Sequence, residues 1–289
     1  MTGSDLGANG TAGEDVGEDV ASHAGIDTSK PSISRVYDYY LDGKDNFAVD
    51  RQVAEMGLTI APDAPAAARA NRAFLRRVVH HLAAEAGIRQ FLDIGSGLPT
   101  RGNVHQIAQN AAPESRVVYV DNDPIVLVHG RALLAENGRT TVIKADIRQL
   151  DSLLAHPEVR KFIDFSEPVG VLLFGILHHL NDHEEPEAIT ARLREEMAPG
   201  SYLAVSHFHN PGPERPEVAA QASAAEKMFN EHLGTGRWRT RDEILSYFGD
   251  MEILEPGLVP LPEWRPEPND VVEQGITYHT FLGAVARKP

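Results

Sequence analysis

Three carboxylates, two glycines and a pair of histidines carry the chemistry that this sequence offers. The stretch Phe91-Leu-Asp-Ile-Gly-Ser-Gly97 is an apolar run that ends in Asp93 and passes into Gly95-Ser96-Gly97. A second apolar run, residues 117–120, ends in Asp121, and a third, residues 141–145, ends in Asp146. Each reads as a strand that delivers a carboxylate at its C-terminal end, where open α/β sheets bind ligands. Gly95 and Gly97 let the backbone turn sharply from strand to helix and approach a ligand closely. A dinucleotide site has the pattern G-x-G-x-x-G, with a pyrophosphate on the helix N-terminus. Here Thr100 stands in place of the third Gly, after Pro99, and the charge of Asp93 would repel a pyrophosphate. A ligand with a sulfonium and an ammonium would be attracted instead, which favours S-adenosylmethionine over NAD. The plainer alternative is a Gly-rich turn with a solvated Asp.

The other candidates follow the strand ends. Asp121 lies 121 − 95 = 26 residues after Gly95. It can accept both ribose hydroxyls, or simply cap the helix that follows, with Asn122 beside it. Asp146 can take an adenine amino group while Ile147 packs on the ring, or be an ordinary turn residue. The fourth strand runs through Phe174 into Gly-Ile-Leu-His178-His179, which should border the reacting methyl. Methyl transfer is an in-line displacement, and alignment alone can supply ~7–11 kcal/mol in favourable intramolecular cases. A base is needed only where the acceptor must lose a proton. His178 or His179 suits that task, against the bland reading of one core imidazole and one cap. His207 and His209 are weaker candidates. Tyr40, Lys44 and Asn46, in an N-terminal segment with Arg35, could contact the cofactor from a lid. Trp264 and Arg265 either wall an acceptor pocket or anchor a long loop. No H-E-x-x-H or comparable metal spacing occurs, so no metal is expected.

Elements must hold these groups in place. Residues 1–30 are acidic and lack apolar periodicity, so they read as a disordered tail, with order beginning near Ser32. Ile33, Val36, Tyr37, Tyr40 and Leu41 share one helical face. A short helix follows over 47–56. A longer one carries Ala66, Ala70, Phe74, Val78 and Leu82, with Gly87 as its cap. Beyond Gln90 strands and helices alternate. Pro124 suits the first turn of the helix after Asp121, and Asn137-Gly138 ends it. Residues 169–174 are an unalternated apolar run, as for a strand buried on both faces. Asp182 with Glu185 resembles a capping arrangement. Residues 202–206 read as the fifth strand, and helices cover 214–233 and 240–248. Two final strands, 251–258 and 277–286, lack a crossover helix and should pair antiparallel.

Composition bounds the function. The chain has 289 residues, 42% hydrophobic and 24% charged, which fits one large α/β domain with an appendage. A net charge of −15 argues against a nucleic-acid partner. The absence of Cys excludes disulfides, thiolate zinc sites and Cys nucleophiles. The longest apolar run, residues 169–177, is far short of the ~20 needed to span a bilayer. No secretory signal is visible, so the cytoplasm is the expected location and no membrane partner is expected.

Taken together, the strand-end acids, the Gly loop, the apolar fourth strand and the terminal hairpin resemble class I S-adenosylmethionine-dependent methyltransferases. Four longer motifs narrow this: Arg35-Val-Tyr-Asp-Tyr-Tyr-Leu-Asp-Gly-Lys-Asp-Asn-Phe, Phe91-Leu-Asp-Ile-Gly-Ser-Gly-Leu-Pro-Thr, Val118-Tyr-Val-Asp-Asn-Asp-Pro and Pro260-Leu-Pro-Glu-Trp-Arg-Pro. They are similar to an actinobacterial group, once a domain of unknown function and now called S-adenosyl methyltransferase. The resemblance runs from about Ser32 to the C-terminus. It implies a Rossmann-like sheet of seven strands in the order 3-2-1-4-5-7-6, the last antiparallel, with N-terminal helices closing over a cofactor below the Gly loop. The expected organisation is a tail over 1–30, a helical cap over 31–88 and a methyltransferase domain over 89–289. The expected cofactor contacts are Tyr40, Lys44, Asn46, Asp93, Gly95, Ser96, Gly97, Asp121, Asn122, Asp146, Ile147 and Phe174, with Asp93 at the methionine amino end. The expected activity is methyl transfer to a small-molecule acceptor. A cofactor-binding module without catalysis and, behind it, an NAD-dependent oxidoreductase are the alternatives.

Overall fold

A computed structural model describes residues 26–99, 102–134, 138–267, 272 and 274–289. Thr100, Asn137 and residues 1–25 of the acidic segment lie outside the described residues. Three helices come first: α1 (Ile33–Tyr40), α2 (Ala48–Ile60) and α3 (Ala64–Ala84). Then follow β1 (Gln90–Ile94), α4 (Val104–Ala111), β2 (Arg116–Asp121), α5 (Pro124–Leu134), β3 (Thr140–Lys144), α6 (Leu150–Leu154) and α7 (Pro157–Phe162). The second half holds β4 (Gly170–Phe174), α8 (Pro186–Glu196), β5 (Tyr202–Phe208), α9 (Pro216–Leu233), α10 (Arg241–Ser246), β6 (Glu252–Ile253), β7 (Val259–Pro260) and β8 (Phe281–Arg287).

The sheet has the order β3-β2-β1-β4-β5-β8-β6, with the two-residue β7 pairing β8 off this path. β1 to β5 are mutually parallel, and β8 runs antiparallel to β5 over seven residue pairs. The expected order therefore holds, with β8 in the place of strand 7 because β7 intervenes in the chain. β1 and β4 are buried at every position, as strands covered on both faces must be. Their side chains alternate between two cores. Leu92, Ile94, Val171 and Leu173 pack with residues of α6, α7, α8 and α10. Phe91 and Leu172 pack with Phe74, Val78 and Leu82 of α3 and Val104 and Ala108 of α4. A third, smaller cluster joins Val36 and Tyr40 of α1, Val53 and Ala54 of α2, Ala68 of α3 and Met228 of α9.

Local chemistry sets the boundaries. The Asp123 side chain accepts from Ile125 N at 3.0 Å and so caps α5, with Pro124 in its first turn. Gly234, at φ +74°, ends α9. Four expectations shift. Ile26 already packs with Leu98, Ile125 and Val126, so order begins before Ser32. The capping pair is Asn181 with Glu184, on a 3-10 turn. Glu185 takes φ +51°, and Pro186 opens α8. The strand expected over 251–258 is short: Glu252 and Ile253 pair with β8 and Leu254 N donates to Val285 O, but Pro256 has no N–H to give and Gly257 turns at φ +90°. The final strand starts at Phe281 because Asp63 captures Thr277, accepting from its N at 2.9 Å and its Oγ1 at 2.8 Å.

Among the described residues no helix is long and apolar enough to cross a membrane. None of their His, Asp and Glu side chains gather into a group of three that could hold a metal ion.

Candidate functional site

Strand order reverses between β1 and β4, so a crevice opens at their C-terminal ends. The Gly loop floors it. Gly95 and Gly97 stand at φ +75° and +66°, and the N–H groups of Gly95 and Ser96 both donate to Val120 O. A Cβ on Gly95 would come within 2.8 Å of Ile176. Gly95→Ala should therefore cost about 1–3 kcal/mol from the positive φ alone. Chemical denaturation checks this, and an unchanged midpoint would mean that the loop relaxes.

Asp121 ties the loop to the next turn. Its Oδ2 accepts from Gly97 N at 2.8 Å and its Oδ1 from Asp123 N at 2.9 Å. Burial pushes its carboxyl up to about 6, against the pull of these N–H groups. Asp146 sits lower in the same crevice. Burial works against its ionisation, but Arg148 N, the Asn122 amide and the Arg148 guanidinium outweigh it and hold the carboxyl below its usual range. Arg148 is fixed in turn by an ion pair with Glu184 and by His179 O at 3.1 Å.

A cavity of about 290 Å³ extends from this loop to the N-terminal helices. Gly95, Ser96, Gly97, Asp121, Asn122, Asp146 and Ile147 line its first end, with Ser96 Oγ buried and unpartnered. Tyr40, His178 and His179 line its further part. His178 stacks on Phe208 with centroids 3.6 Å apart, and its Nδ1 accepts from Phe208 N at 3.2 Å. In the neutral imidazole its Nε2 then carries the proton. Burial, with His179 and His207 nearby, lowers its proton affinity well below that of free imidazole. Burial and the Arg148 charge lower His179 to about 3. Both rings are therefore neutral at physiological pH and are weak bases.

Four expected contacts do not line this cavity. Lys44 is exposed. The Asn46 amide is engaged by Asp38 at 2.9 Å and Gly43 O at 3.1 Å, which fixes its own turn. Phe174 packs edge-on against Phe74 in the core. Asp93 points to the opposite face of β1, into a separate cavity of about 30 Å³ shared with Arg72, Ser96 and Tyr119. Other candidates are also diverted. Arg35 forms a buried ion pair with Asp50 at 2.9 Å. His207 Nδ1 donates to Phe208 O at 2.7 Å, and His209 Nδ1 contacts His279 O at 2.9 Å. Trp264 is fully buried against Phe74 of α3, and Arg265 lies over its ring. In their place Tyr37, Asn71, Phe208, Phe229 and Trp238 line the cavity. No spacing rule connects these five, which arrive from five parts of the chain.

Burial raises the Asp93 carboxyl from 3.8 to about 7, only partly offset by Arg72. The protonated form is thus favoured in the folded state. The associated stability is complete below about pH 4 and is lost as pH rises towards 7. Asp93→Asn cannot ionise, so its melting temperature should gain on the parent's across that window and level off above it. A constant difference from pH 4 to 8 would show that Asp93 titrates normally.

The family model described as S-adenosyl methyltransferase matches residues 19–289. The chain belongs to this family. Two solved structures agree with the S-adenosyl methyltransferase assignment. A candidate methyltransferase from Thermobifida fusca YX is 44% identical, with a TM-score of 0.86, and the alignment covers 91% of this chain and 97% of that one. A DUF574 family protein from Streptomyces avermitilis MA-4680 is 40% identical, with a TM-score of 0.85 and coverage of 91% and 99%. No curated protein matches the chain.

Proposed function

We propose that this family member is an S-adenosylmethionine-dependent methyltransferase acting on a small-molecule acceptor. The observation that carries this reading is the continuity of the cavity. It runs from the Gly loop and Asp121 to a second chamber beside His178. A module that only binds cofactor needs no such chamber.

The first end fits the cofactor by its donor set. Asp121 has lone pairs left for ribose hydroxyls after accepting two backbone N–H groups. Asp146 and Ile147 offer a carboxylate and an apolar surface for adenine, and Gly95 lets the loop pack closely on Ile176 of the same wall. When bound, S-adenosylmethionine supplies an electrophilic methyl group on a sulfonium. The protein's part is to align and dehydrate. α1 and α2 cover the chamber, and α3 contributes Ala64, Ala67, Ala68 and Asn71 to its wall. His178 and His179, neutral and stacked against aromatic rings, orient an acceptor rather than hold its proton.

Thermal shifts with S-adenosylmethionine, S-adenosylhomocysteine and NAD test this reading. A ligand at 100 times its Kd adds ~2.7 kcal/mol, worth several degrees for a chain this size. Shifts with the two adenosyl amino acids and none with NAD are expected. A shift with NAD alone would overturn the reading.

A further inference from the structure

The far chamber has a chemical character of its own. Of the charged side chains on the cavity wall, Asp121 and Asp146 flank the Gly loop, and Arg148 is tied to Asp146, Glu184 and His179 O. Among the described residues, the rest of the wall has no Asp, Glu, Lys or Arg. A permanently charged acceptor would be desolvated there without a free counter-charge, because Arg148 is committed to Asp146 and Glu184. One wall is a stack of flat rings. His178 lies on Phe208 at 3.6 Å and 9°, and Phe208 lies on Trp238 at 4.3 Å and 15°. α3 and α9 add alanines to the wall, Ala67, Ala68, Ala222 and Ala225, beside the larger Asn71, Gln221, Met228 and Phe229. Methyl side chains on a wall shared with a ring stack leave room against the rings, and a flat apolar molecule packs on such a stack best.

Two neutral donors meet at one edge of it. Asn71 Oδ1 accepts from Ser206 Oγ at 2.8 Å, and its Nδ2 donates to Tyr37 Oη at 3.1 Å. An amide nitrogen has two N–H groups, so one is left. His178 Nε2–H is the second donor, since Nδ1 is taken by Phe208 N. Both nitrogens border the same small space above Gly175. A Cβ on Gly175 would stand 3.6 Å from Asn71 Nδ2 and 3.9 Å from His178 Nε2.

We propose that the chamber takes a planar phenol and that Asn71 Nδ2 and His178 Nε2 hold its hydroxyl oxygen as the methyl acceptor. This rests on the methyltransferase reading above. Two hydrogen bonds to an oxygen that carries charge stabilise the phenolate, so the phenol ionises at a lower pH than in water. Its proton passes to bulk water as it binds. Transfer then forms the O–CH3 bond and breaks the S–CH3 bond, whose electron pair stays on sulfur. No strong base is required, in keeping with the low basicity of both histidines.

The test uses the whole protein saturated with S-adenosylhomocysteine, with para-nitrophenol as an absorbing probe. The bound probe should ionise at a pH lower than in buffer by about one unit or more, the size expected for charge-assisted hydrogen bonds. It should also bind at least about tenfold more tightly than cyclohexanol, which is not flat, or benzoate, which is anionic at neutral pH and carries its charge outside the ring. His178→Phe keeps the ring stack and Asn71→Leu keeps the bulk, and each should abolish most of the ionisation shift while S-adenosylhomocysteine affinity stays intact. An unshifted probe, or cyclohexanol or benzoate binding as well as the phenol, would overturn the phenol assignment alone. Failure of S-adenosylhomocysteine itself to bind would overturn the methyltransferase reading.

Discussion

Asp121→Ala is expected to weaken S-adenosylmethionine binding by about 1.5–3 kcal/mol, roughly 10- to 100-fold. The carboxylate has two duties. It faces the cavity, and it receives Gly97 N and Asp123 N on its two oxygens. Its removal takes away the ribose acceptors and also leaves two loop N–H groups without a partner. Asp121→Asn is no gentle substitute, because one end of the amide must face a backbone N–H with its own donor. The parent's affinity should itself fall as pH drops through about 6, where this buried carboxyl takes up a proton. Titration calorimetry at pH 5 and 8 on parent and alanine variant checks both statements. Equal affinities in a folded Asp121→Ala protein would remove Asp121 from the cofactor site.

The largest effect on stability is expected from Trp264→Ala. The indole is fully buried and meets Phe74 edge-on with centroids 5.6 Å apart. Arg77 of α3 clamps the same loop, donating to Trp264 O at 2.9 Å and Leu261 O at 2.7 Å. Truncation of a buried Trp costs about 3–5 kcal/mol. For a chain of this size each kcal/mol is worth about 2–4 °C, so the melting temperature should fall by roughly 6–20 °C. Trp264→Phe should be much milder, because the indole Nε1 is buried without a partner and its removal relieves a cost. Calorimetric melting of both variants measures this, and cofactor affinity should not change. A stable Trp264→Ala protein with weakened cofactor binding would reverse the role of the loop.

What the sequence makes visible is what is local. Asp121 and Asp146 end apolar runs, and the Gly loop follows one, so the end of the cavity they line is readable from neighbours in the chain. Asp93 shows where this stops. β1 is buried on both faces, so its pattern does not reveal which face the carboxylate takes. Pairing with Leu172 and Tyr119 turns it away from the large cavity. Lys44, Asn46 and Arg35 lie in a motif rich enough to invite a binding role. Contacts with Asp38 and Asp50 engage two of them, and solvent takes the third. The acceptor chamber is the least readable part. Phe208 ends a strand, Phe229 lies on a helix and Trp238 on a loop, and only tertiary packing makes them one wall. The alanines of α3 and α9 look like ordinary helix formers until their small size is seen to leave room.

The small apolar cluster shared by α1, α2, α3 and α9 has a kinetic consequence. It is separate from the two cores that hold the sheet. The seam it closes is pinned at particular points. Gln221 Nε2 latches onto Ile60 O at 2.9 Å, and Tyr40 packs where a side chain on Gly57 would otherwise stand. Parting this seam breaks that latch, the bonds of Tyr37 Oη with Ala68 O and Asn71 Nδ2 and the apolar contacts of the cluster, and leaves the sheet intact, so its free-energy cost is below that of global unfolding. Ligand entry and product escape can then run at rates set by the seam, whatever the lifetime of the folded sheet.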